Sequence, residues 1–118
     1  MNNYSKGKWA EFLARTYLRC CGYHFVCRNY VTGKGTTAGE VDLIMQKGKT
    51  IIFAEVKLRK DLYSAAYAIT QSQKQRILRG ALSFMKKYPQ YKYCDMRFDA
   101  ILVCLPFFIY HIPNAWTS

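Results

Sequence analysis

Two acidic motifs near the middle of the chain combine the residue types that metal-assisted hydrolysis requires. Asp42 lies in Gly39-Glu-Val-Asp42-Leu-Ile, and Glu55 and Lys57 lie in Ile52-Phe-Ala-Glu55-Val-Lys57. Glu55 interrupts an apolar run, where a carboxylate is unfavourable unless it is paired or bound to a metal ion. Two carboxylates can hold Mg²⁺ or Mn²⁺ and leave positions for water and phosphate oxygens, while a lysine can orient or deprotonate an attacking water. These residues predict phosphodiester hydrolysis, with Asp42 and Glu55 as metal ligands and all three residues as catalytic groups.

The strands that carry these motifs must pair in a register that brings the carboxylates together. Lys47-Gly48 is a tight-turn signal between two runs of β-forming residues, which predicts an antiparallel hairpin. A two-residue turn places Asp42 opposite Phe53 and diagonal to Glu55. A four-residue turn places the two carboxylates directly opposite, and a three-residue turn separates them onto different faces. The glycine position and the strand lengths favour the two-residue turn.

A further carboxylate, Glu11, lies on a predicted N-terminal helix over residues 5–21. One face of this helix is an apolar stripe at helical spacing, formed by Trp9, Phe12, Leu13, Tyr17 and Cys20. The opposite side carries a narrower stripe of mostly small residues around Glu11, formed by Gly7, Ala14 and Leu18. Small neighbours allow close approach to Glu11, so we expect it to add a third catalytic and metal-binding carboxylate.

The remaining patterns predict one α/β domain over residues 1–118, with a central mixed sheet flanked by helices. Ser72 and Gln75 have the spacing of a capping box before the second long helix, whose apolar stripe is Ile77, Leu78, Ala81, Leu82 and Met85. The other predicted elements are strands over 23–31, 41–46, 50–58 and 97–105, a loop over 32–39, an Ala-rich helical piece over 64–69, the helix over 73–87, and an aromatic tail after Pro106.

The charge of the chain predicts a polyanionic partner. Eighteen Lys and Arg residues against seven Asp and Glu give a net charge of +11, which attracts nucleic acid first and an anionic membrane surface second. Beside a metal site, phosphate binding is the better interpretation of the basic side chains, with candidate contacts at Lys34, Arg59, Lys60, Lys74, Arg76 and Arg79. No apolar stretch reaches the length of a membrane-spanning helix and the N-terminus lacks the apolar core of a signal peptide, so we expect a cytoplasmic protein without membrane contact.

The two central motifs resemble the D…E-x-K signature of the restriction-endonuclease-like PD-(D/E)xK superfamily, without its usual proline before the aspartate. A narrower resemblance, over nearly the whole chain, is to the uncharacterised bacterial YraN family. Its further motifs are Gly7-x-x-x-Glu11, Gly22-Tyr23, Arg28-Asn29, Arg59, Lys74, Arg97-Phe-Asp99 and His111-Ile-x-Asn-Ala-Trp116.

That resemblance implies a fold similar to Holliday junction resolvases and tRNA-endonuclease-like domains, and an endonuclease activity on DNA ahead of RNA. By motif position it assigns Asp42 and Glu55 to the metal, Lys57 to catalysis, Glu11 to the acidic residue on the first helix, and Lys74 to phosphate contact. Phe12 departs from the family pattern, since an acidic residue is expected after Glu11.

Structural interpretations remain open for several of these residues. Glu55 and Lys57 alone could form an ordinary ion pair on an exposed strand, and Glu11 could be an ordinary solvated helix residue. Glu40 is given a supporting role or a pairing with a nearby cation. Arg97 and Asp99 are interpreted as an ion pair that fixes the sheet. Core or turn positions are favoured over metal ligation for the two histidines, His24 and His111.

Two alternative functions are kept beside the nuclease hypothesis. One is a nucleic-acid-binding or scaffold module with the same fold and no catalysis. The other is an interaction protein built around the C-terminal aromatic tail, which lacks the interleaved cations of a base-stacking platform. A homodimer is a further hypothesis that rests on analogy alone.

Overall fold

The computed structural model describes residues 3–60, 69–104 and 108–117. The predicted α/β class is confirmed, because these residues form a mixed five-stranded sheet with helices packed against it. In chain order the helices and strands are α1 (Asn3–Cys20), β1 (His24–Thr32), β2 (Gly39–Lys47), β3 (Thr50–Arg59), α2 (Gln71–Lys87), β4 (Asp95–Cys104) and β5 (Phe108–Trp116). The predicted Ala-rich piece lies outside the described residues except for Ile69, as does position 105 of the predicted fourth strand.

The sheet has the strand order β1-β2-β3-β4-β5. Neighbouring strands are antiparallel except β3 and β4, which run parallel and are separated in sequence by α2. A parallel pair needs a long crossover, and that crossover puts α2 on one face of the sheet. The C-terminal aromatic segment forms β5 and completes the sheet beside β4.

Helix α1 packs on the sheet through its small residues. An amphipathic helix ordinarily packs through its larger apolar side chains, yet among residues 7–20 of α1 the buried apolar residues are Ala10, Ala14 and Leu18. Ala14 and Leu18 pack against a sheet face that already carries Leu43, Met45, Ile52 and Ile101. Small side chains let the helix come close to these bulky residues, which leaves Trp9 and Phe12 exposed to 39% and 46%.

Helix α2 begins two residues earlier than the predicted start. Thr70 is the N-cap, and it forms a capping box with Gln73 in place of the predicted Ser72 and Gln75. The Thr70 hydroxyl accepts from the Gln73 amide at 3.1 Å, and the Gln73 side chain accepts from the Thr70 amide at 3.0 Å. The predicted capping box at Ser72 is therefore wrong, although Thr70 and Gln73 have the same spacing and equivalent residue types.

The packing face of α2 lies against β2 and the centre of the sheet. Its buried residues are Ile77, Gly80, Ala81 and Phe84, whereas Leu82 of the predicted stripe is exposed. The closest approach is at Gly39, where a Cβ atom would lie 2.7 Å from the Cα atom of Gly80. This contact brings the first turns of α2 close to the part of β2 that carries Asp42. Neither described helix is long and apolar enough to cross a membrane.

Candidate active site

The hairpin turn that joins β2 to β3 lies one residue later than predicted. Lys47 pairs with Thr50, so Gly48 and Lys49 form the turn, and the predicted Lys47-Gly48 turn is wrong. Gly48 has a φ of +60°, which suits the first turn position of a type II′ hairpin. The predicted pairing of Asp42 with Phe53 is corrected with it, because Phe53 pairs with Ile44.

Strands β2 and β3 part at the two central carboxylates. Their last paired residues are Leu43 and Ala54, so the next residues along the strands, Asp42 and Glu55, come to lie opposite each other. The Val56 amide donates a hydrogen bond of 2.9 Å to Asp42 Oδ2. A carboxylate thus joins the strands where their backbone pairing ends, and it marks a fork in the sheet.

Lys57 shares the site with Glu55 because residues two apart project from the same face of a strand. Its Nζ lies 3.2 Å from Glu55 Oε1, and both side chains are largely buried. The sheet therefore brings Asp42, Glu55 and Lys57 together.

The two carboxyl groups are not fully neutralised by this lysine. Burial, followed by the charge of Asp42, raises the pKa of Glu55 to about 7, and Lys57 offsets only part of this rise. Burial also raises the pKa of Asp42, although hydrogen bonds from Val56 and from Glu55 oppose it. The hydrogen bond between the carboxyl groups stabilises the ionised form of Asp42 and the protonated form of Glu55. Near neutral pH the pair is therefore populated both with and without this proton.

Two clefts open on either side of Asp42, which lines both. The first, termed the α1 cleft, has a volume of about 360 Å³ and is lined by Gly7, Lys8, Glu11, Arg28, Asn29, Asp42 and Val56. The second, termed the α2 cleft, has a volume of about 250 Å³ and is lined by Glu40, Asp42, Glu55, Lys57, Gln73, Arg76 and Ile77. Both clefts are open to solvent and combine acidic with basic side chains, so a charged ligand can reach Asp42 from either side.

Glu11 lies in the α1 cleft and is almost completely buried. Its oxygens are 3.9 Å from Arg15 Nε and 3.8 Å from Arg28 Nη1, which is too far for hydrogen bonds. Its Oε1 atom is buried and has no hydrogen-bond partner among the described residues. The described residues also contain no group of three or more His, Cys, Asp or Glu placed to hold one metal ion. Glu11 therefore shares a cleft with Asp42 without forming a three-carboxylate cluster.

Glu40 lies at the rim of the α2 cleft and pairs with a cation. Its Oε2 accepts a hydrogen bond of 2.9 Å from Arg76 Nη2, and both side chains are close to half exposed. Its charge adds a small upward contribution to the pKa of Asp42. Pairing with a nearby arginine was one of the two interpretations left open by the sequence.

The six predicted phosphate-binding cations are scattered over the surface. Arg76 lines the α2 cleft, but Arg79 donates to the Ala38 carbonyl and joins α2 to the loop before β2. Lys74 lies in grooves beside Trp116, apart from the carboxylates. The other three are at the surface: Lys34 and Lys60 are exposed, and Arg59 donates to the Leu58 carbonyl.

Sequence reasoning gave no site role to four polar residues of these clefts: Lys8, Arg28 and Asn29 in the α1 cleft and Gln73 in the α2 cleft. One signal could have found two of them. Arg28-Asn29 interrupts a run of strand-forming residues, and asparagine tolerates the left-handed backbone conformation. Asn29 has a φ of +52° in β1, so the irregular strand turns polar groups toward the carboxylates.

A hydrogen-bond network surrounds another buried acid, Asp99 of β4. Arg97 donates two hydrogen bonds to its carboxylate at 2.9 and 2.8 Å, His111 Nε2 lies at 2.7 Å, and the Asn114 amide donates at 3.0 Å. Arg97 also donates to the Tyr23 hydroxyl at 2.7 Å. Burial favours protonation of Asp99, but the bonds from His111 and Arg97 outweigh it and hold its pKa below the usual value. This geometry agrees with the predicted ion pair, and the histidine adds to it.

Comparison with known proteins places this arrangement in a family. The model of the uncharacterised protein family UPF0102 matches residues 10–103, which include Glu11, Asp42, Glu55 and Lys57. The chain is 41% identical over 111 residues to a UPF0102 protein of Paramagnetospirillum magneticum, covering 94% of this chain and 86% of the relative. It is 35% identical over 112 residues to a UPF0102 protein of Rhodopseudomonas palustris, covering 95% and 83%. It is 36% identical over 97 residues to a UPF0102 protein of Nitrobacter winogradskyi, covering 82% and 79%. The chain therefore belongs to the uncharacterised protein family UPF0102, in agreement with its resemblance to the YraN family.

Proposed function

We propose that this protein is a metal-dependent nuclease of restriction-endonuclease-like fold that hydrolyses phosphodiester bonds, in DNA ahead of RNA. The observation that carries the proposal is the fork between β2 and β3. It holds a buried carboxyl group, Glu55, opposite a half-buried one, Asp42, with the Lys57 amine 3.2 Å from Glu55. A net charge of +11 supports a polyanionic substrate. Such a field would concentrate nucleic acid around the site.

The donor set at the fork fits Mg²⁺ or Mn²⁺. Hard cations of this kind take carboxylate oxygens and keep several water ligands, and Asp42 and Glu55 offer two carboxylates beside open clefts. Burial raises the pKa values of both acids, and a bound cation would favour their ionised forms. Asp42 and Glu55 would hold the ion, with Glu11 acting through its water shell across the α1 cleft. When bound, the ion would polarise the phosphate and make a coordinated water more acidic.

The residues of the chain divide the remaining tasks. Lys57 is positioned by its ion pair with Glu55, so its amine can orient the attacking water and stabilise negative charge that develops on the phosphate. Arg28 and Arg76 lie at the rims of the two clefts, where they can bind phosphates on either side of the reacting one. Phosphate contacts of this type fix the position of a nucleic acid without reading its sequence.

A cleavage assay tests the proposal. Purified protein is incubated with branched, flapped, single-stranded and duplex DNA and with RNA, in Mg²⁺ or Mn²⁺ and in EDTA. We expect cleavage that requires the metal and falls by roughly a hundredfold or more in Asp42→Asn, Glu55→Gln and Lys57→Met. Glu40→Gln is the matched control, because it removes an exposed carboxylate from the same cleft, and it should retain activity. Cleavage that survives in all three site variants would reject the site.

A second candidate function, a nucleic-acid-binding module without catalysis, is favoured by one observation. The described residues contain no group of three metal-ligating side chains. This alternative predicts binding that weakens with salt and is unchanged in Asp42→Asn and Glu55→Gln. It also predicts no heat of Mg²⁺ or Mn²⁺ binding by calorimetry.

A further inference from the structure

Three exposed aromatic side chains and one arginine form a continuous surface beside the α1 cleft. We term it the aromatic patch: Trp9, Phe12 and Arg15 of α1 and Phe25 of β1. Trp9 and Phe12 stack with ring centroids 5.9 Å apart and an interplanar angle of 21°. The Arg15 guanidinium lies 5.7 Å from the Phe12 centroid and 5.3 Å from the Phe25 centroid. Each member contacts the next, so the patch is an ordered surface.

The patch is left open by the way in which α1 packs. The helix is anchored through Ala14 and Leu18 on its other side, and Phe25 is exposed to 43%. Keeping three large aromatic rings in water is unfavourable. Rings interleaved with a cation are typical of surfaces on which nucleic-acid bases stack. The charge of +11 favours a polyanion over a neutral partner on this surface.

The patch is connected to the candidate active site through Arg15. The Arg15 Nε atom lies 3.9 Å from Glu11, and Glu11 lines the α1 cleft together with Lys8, Arg28 and Asp42. Cations therefore follow the path from the rings to the carboxylates. A strand whose bases lie on the rings can place its phosphates along this path.

We propose that the aromatic patch binds unpaired bases of a single-stranded nucleic acid segment. The rings and Arg15 stack on the bases, and Lys8 and Arg28 contact the phosphates that lead toward Asp42. In combination with the proposed function, on which this last step rests, the preferred substrate has an unpaired segment next to the bond that is cut. Stacking is tolerant of base identity, so the patch selects unpaired bases in preference to a sequence.

Binding is measured in EDTA, so that the result does not depend on cleavage. In a Trp116→Phe background, Trp9 is the remaining tryptophan of the chain, and its fluorescence reports directly on the patch. Affinities of all proteins, including the variants without Trp9, are measured by fluorescence anisotropy of a labelled probe. The probes are a 20-nucleotide oligothymidine, an oligonucleotide of the same length with abasic sites throughout its centre, and a duplex. Vesicles of anionic phospholipid and a sedimentation measurement test a membrane and a second copy of the chain as occupants.

We expect oligothymidine to quench Trp9 and to bind about tenfold more tightly than the abasic oligonucleotide and the duplex. Trp9→Ala with Phe12→Ala should lose this preference while binding to duplex stays unchanged. The single variant Trp9→Phe, which keeps an aromatic ring at both positions, should largely retain the preference for oligothymidine. Circular dichroism checks that each variant is folded. Tyr93→Ala is the matched control, since Tyr93 is also exposed and has a cation, Lys92, 5.0 Å from its ring.

Equal affinity for oligothymidine and its abasic counterpart would overturn the proposal. The proposal would also be overturned if vesicles or self-association quenched Trp9 and oligothymidine did not. If the patch binds single strands and no substrate is cut, the proposed function fails while the patch remains. If duplex is cut at an unchanged rate in the double alanine variant and no single-strand preference exists, the patch fails while the proposed function remains.

Discussion

Two buried acids on neighbouring strands of the same sheet differ in how well they are neutralised. Asp99 of β4 is fully buried and accepts four hydrogen bonds, and its pKa is lowered. Glu55 of β3 is almost as buried, but it has one cation, Lys57, and a competing acid, Asp42. Its pKa is raised to about 7. Burial is common to both, so the number and sign of the partners separate them.

The difference teaches which acid stabilises the fold and which is available for chemistry. Asp99 binds Arg97, His111 and the Asn114 amide, and Arg97 extends the network to Tyr23. These contacts join β4 to β5 and to the residue before β1, and they use the acceptor capacity of the carboxylate. The pair at the fork has acceptor capacity left over, and perturbed acids beside a cleft are typical of functional sites.

Removing Asp99 should give the largest loss of stability. Asp99→Asn leaves Arg97 without its ion pair in a partly buried position, and we expect unfolding free energy to fall by about 3 kcal/mol. Since the pKa of Asp99 is lowered by folding, its contribution is present at neutral pH and is lost only as pH falls through that lowered value. Urea unfolding at pH 7 measures the loss. Asp95→Asn, an exposed acid on the same strand, should change stability by less than about 0.5 kcal/mol.

Removing the charge of Glu55 should stabilise the protein, in contrast to the loss of stability expected for Asp99→Asn. Its pKa is raised from 4.5 to about 7, so between these values the folded protein keeps a proton that the unfolded chain has lost. Stability of the wild type therefore falls as pH rises through this window. In EDTA, Glu55→Gln should be more stable than wild type by roughly 2 kcal/mol at pH 8. The difference should nearly vanish at pH 5.

The free energy of unfolding of Glu55→Gln and of wild type is measured in urea from pH 5 to pH 8, in steps of about half a pH unit. A Glu55→Gln variant that is less stable than wild type at pH 8 would show that Lys57 already satisfies the carboxylate. In that case the contrast with Asp99 disappears, and the fork becomes a second structural ion pair.

A divalent cation should reverse the pH effect at the fork. At pH 8 the ionised Asp42 and Glu55 are suited to bind Mg²⁺, and a ligand that binds only the folded state stabilises it by about 1.4 kcal/mol at ten times its dissociation constant. Thermal unfolding followed by circular dichroism with and without Mg²⁺ measures this gain. Glu55→Gln and Asp42→Asn should lose it, and Glu40→Gln should keep it. An equal response in all four proteins would indicate nonspecific binding.

The class of the fold could be predicted from local patterns, but the packing of α1 could not. Period-two runs and turn residues are local signals, and they predicted β1 to β4 to within a few residues, whereas β5 was predicted only as an aromatic tail. Which face of α1 meets the sheet depends on the size of the side chains already on that sheet, such as Met45 and Ile52. The large apolar residues of α1 were the more obvious stripe, and the close fit of Ala14 was decided by tertiary packing.

The site could be predicted in part for the same reason. Glu55 and Lys57 share a face by strand periodicity alone, so their 3.2 Å ion pair needs no tertiary information. The position of Asp42 depended on the turn. Because the turn lies one residue later than predicted, the residue opposite Asp42 is Glu55 and not Phe53. Lys8 and Arg28 come from other elements, and only the assembled sheet and α1 bring them into the α1 cleft.

The smallest effect on stability is expected for the ion pair between Glu40 and Arg76. Both side chains are close to half exposed, and such pairs contribute about 0–1 kcal/mol. Arg76→Ala and Glu40→Ala should therefore each change unfolding free energy by less than about 0.5 kcal/mol.

The effects of Arg76→Ala and Glu40→Ala on nucleic-acid affinity should differ. Arg76→Ala removes a cation from the α2 cleft and should reduce the slope of log affinity against log salt by about one. Glu40→Ala releases the guanidinium and should leave affinity equal or higher. Equal losses in both variants would mean that Arg76 supports the rim of the cleft without contacting phosphate, which would leave Lys57 as the cation of the α2 cleft that meets the substrate.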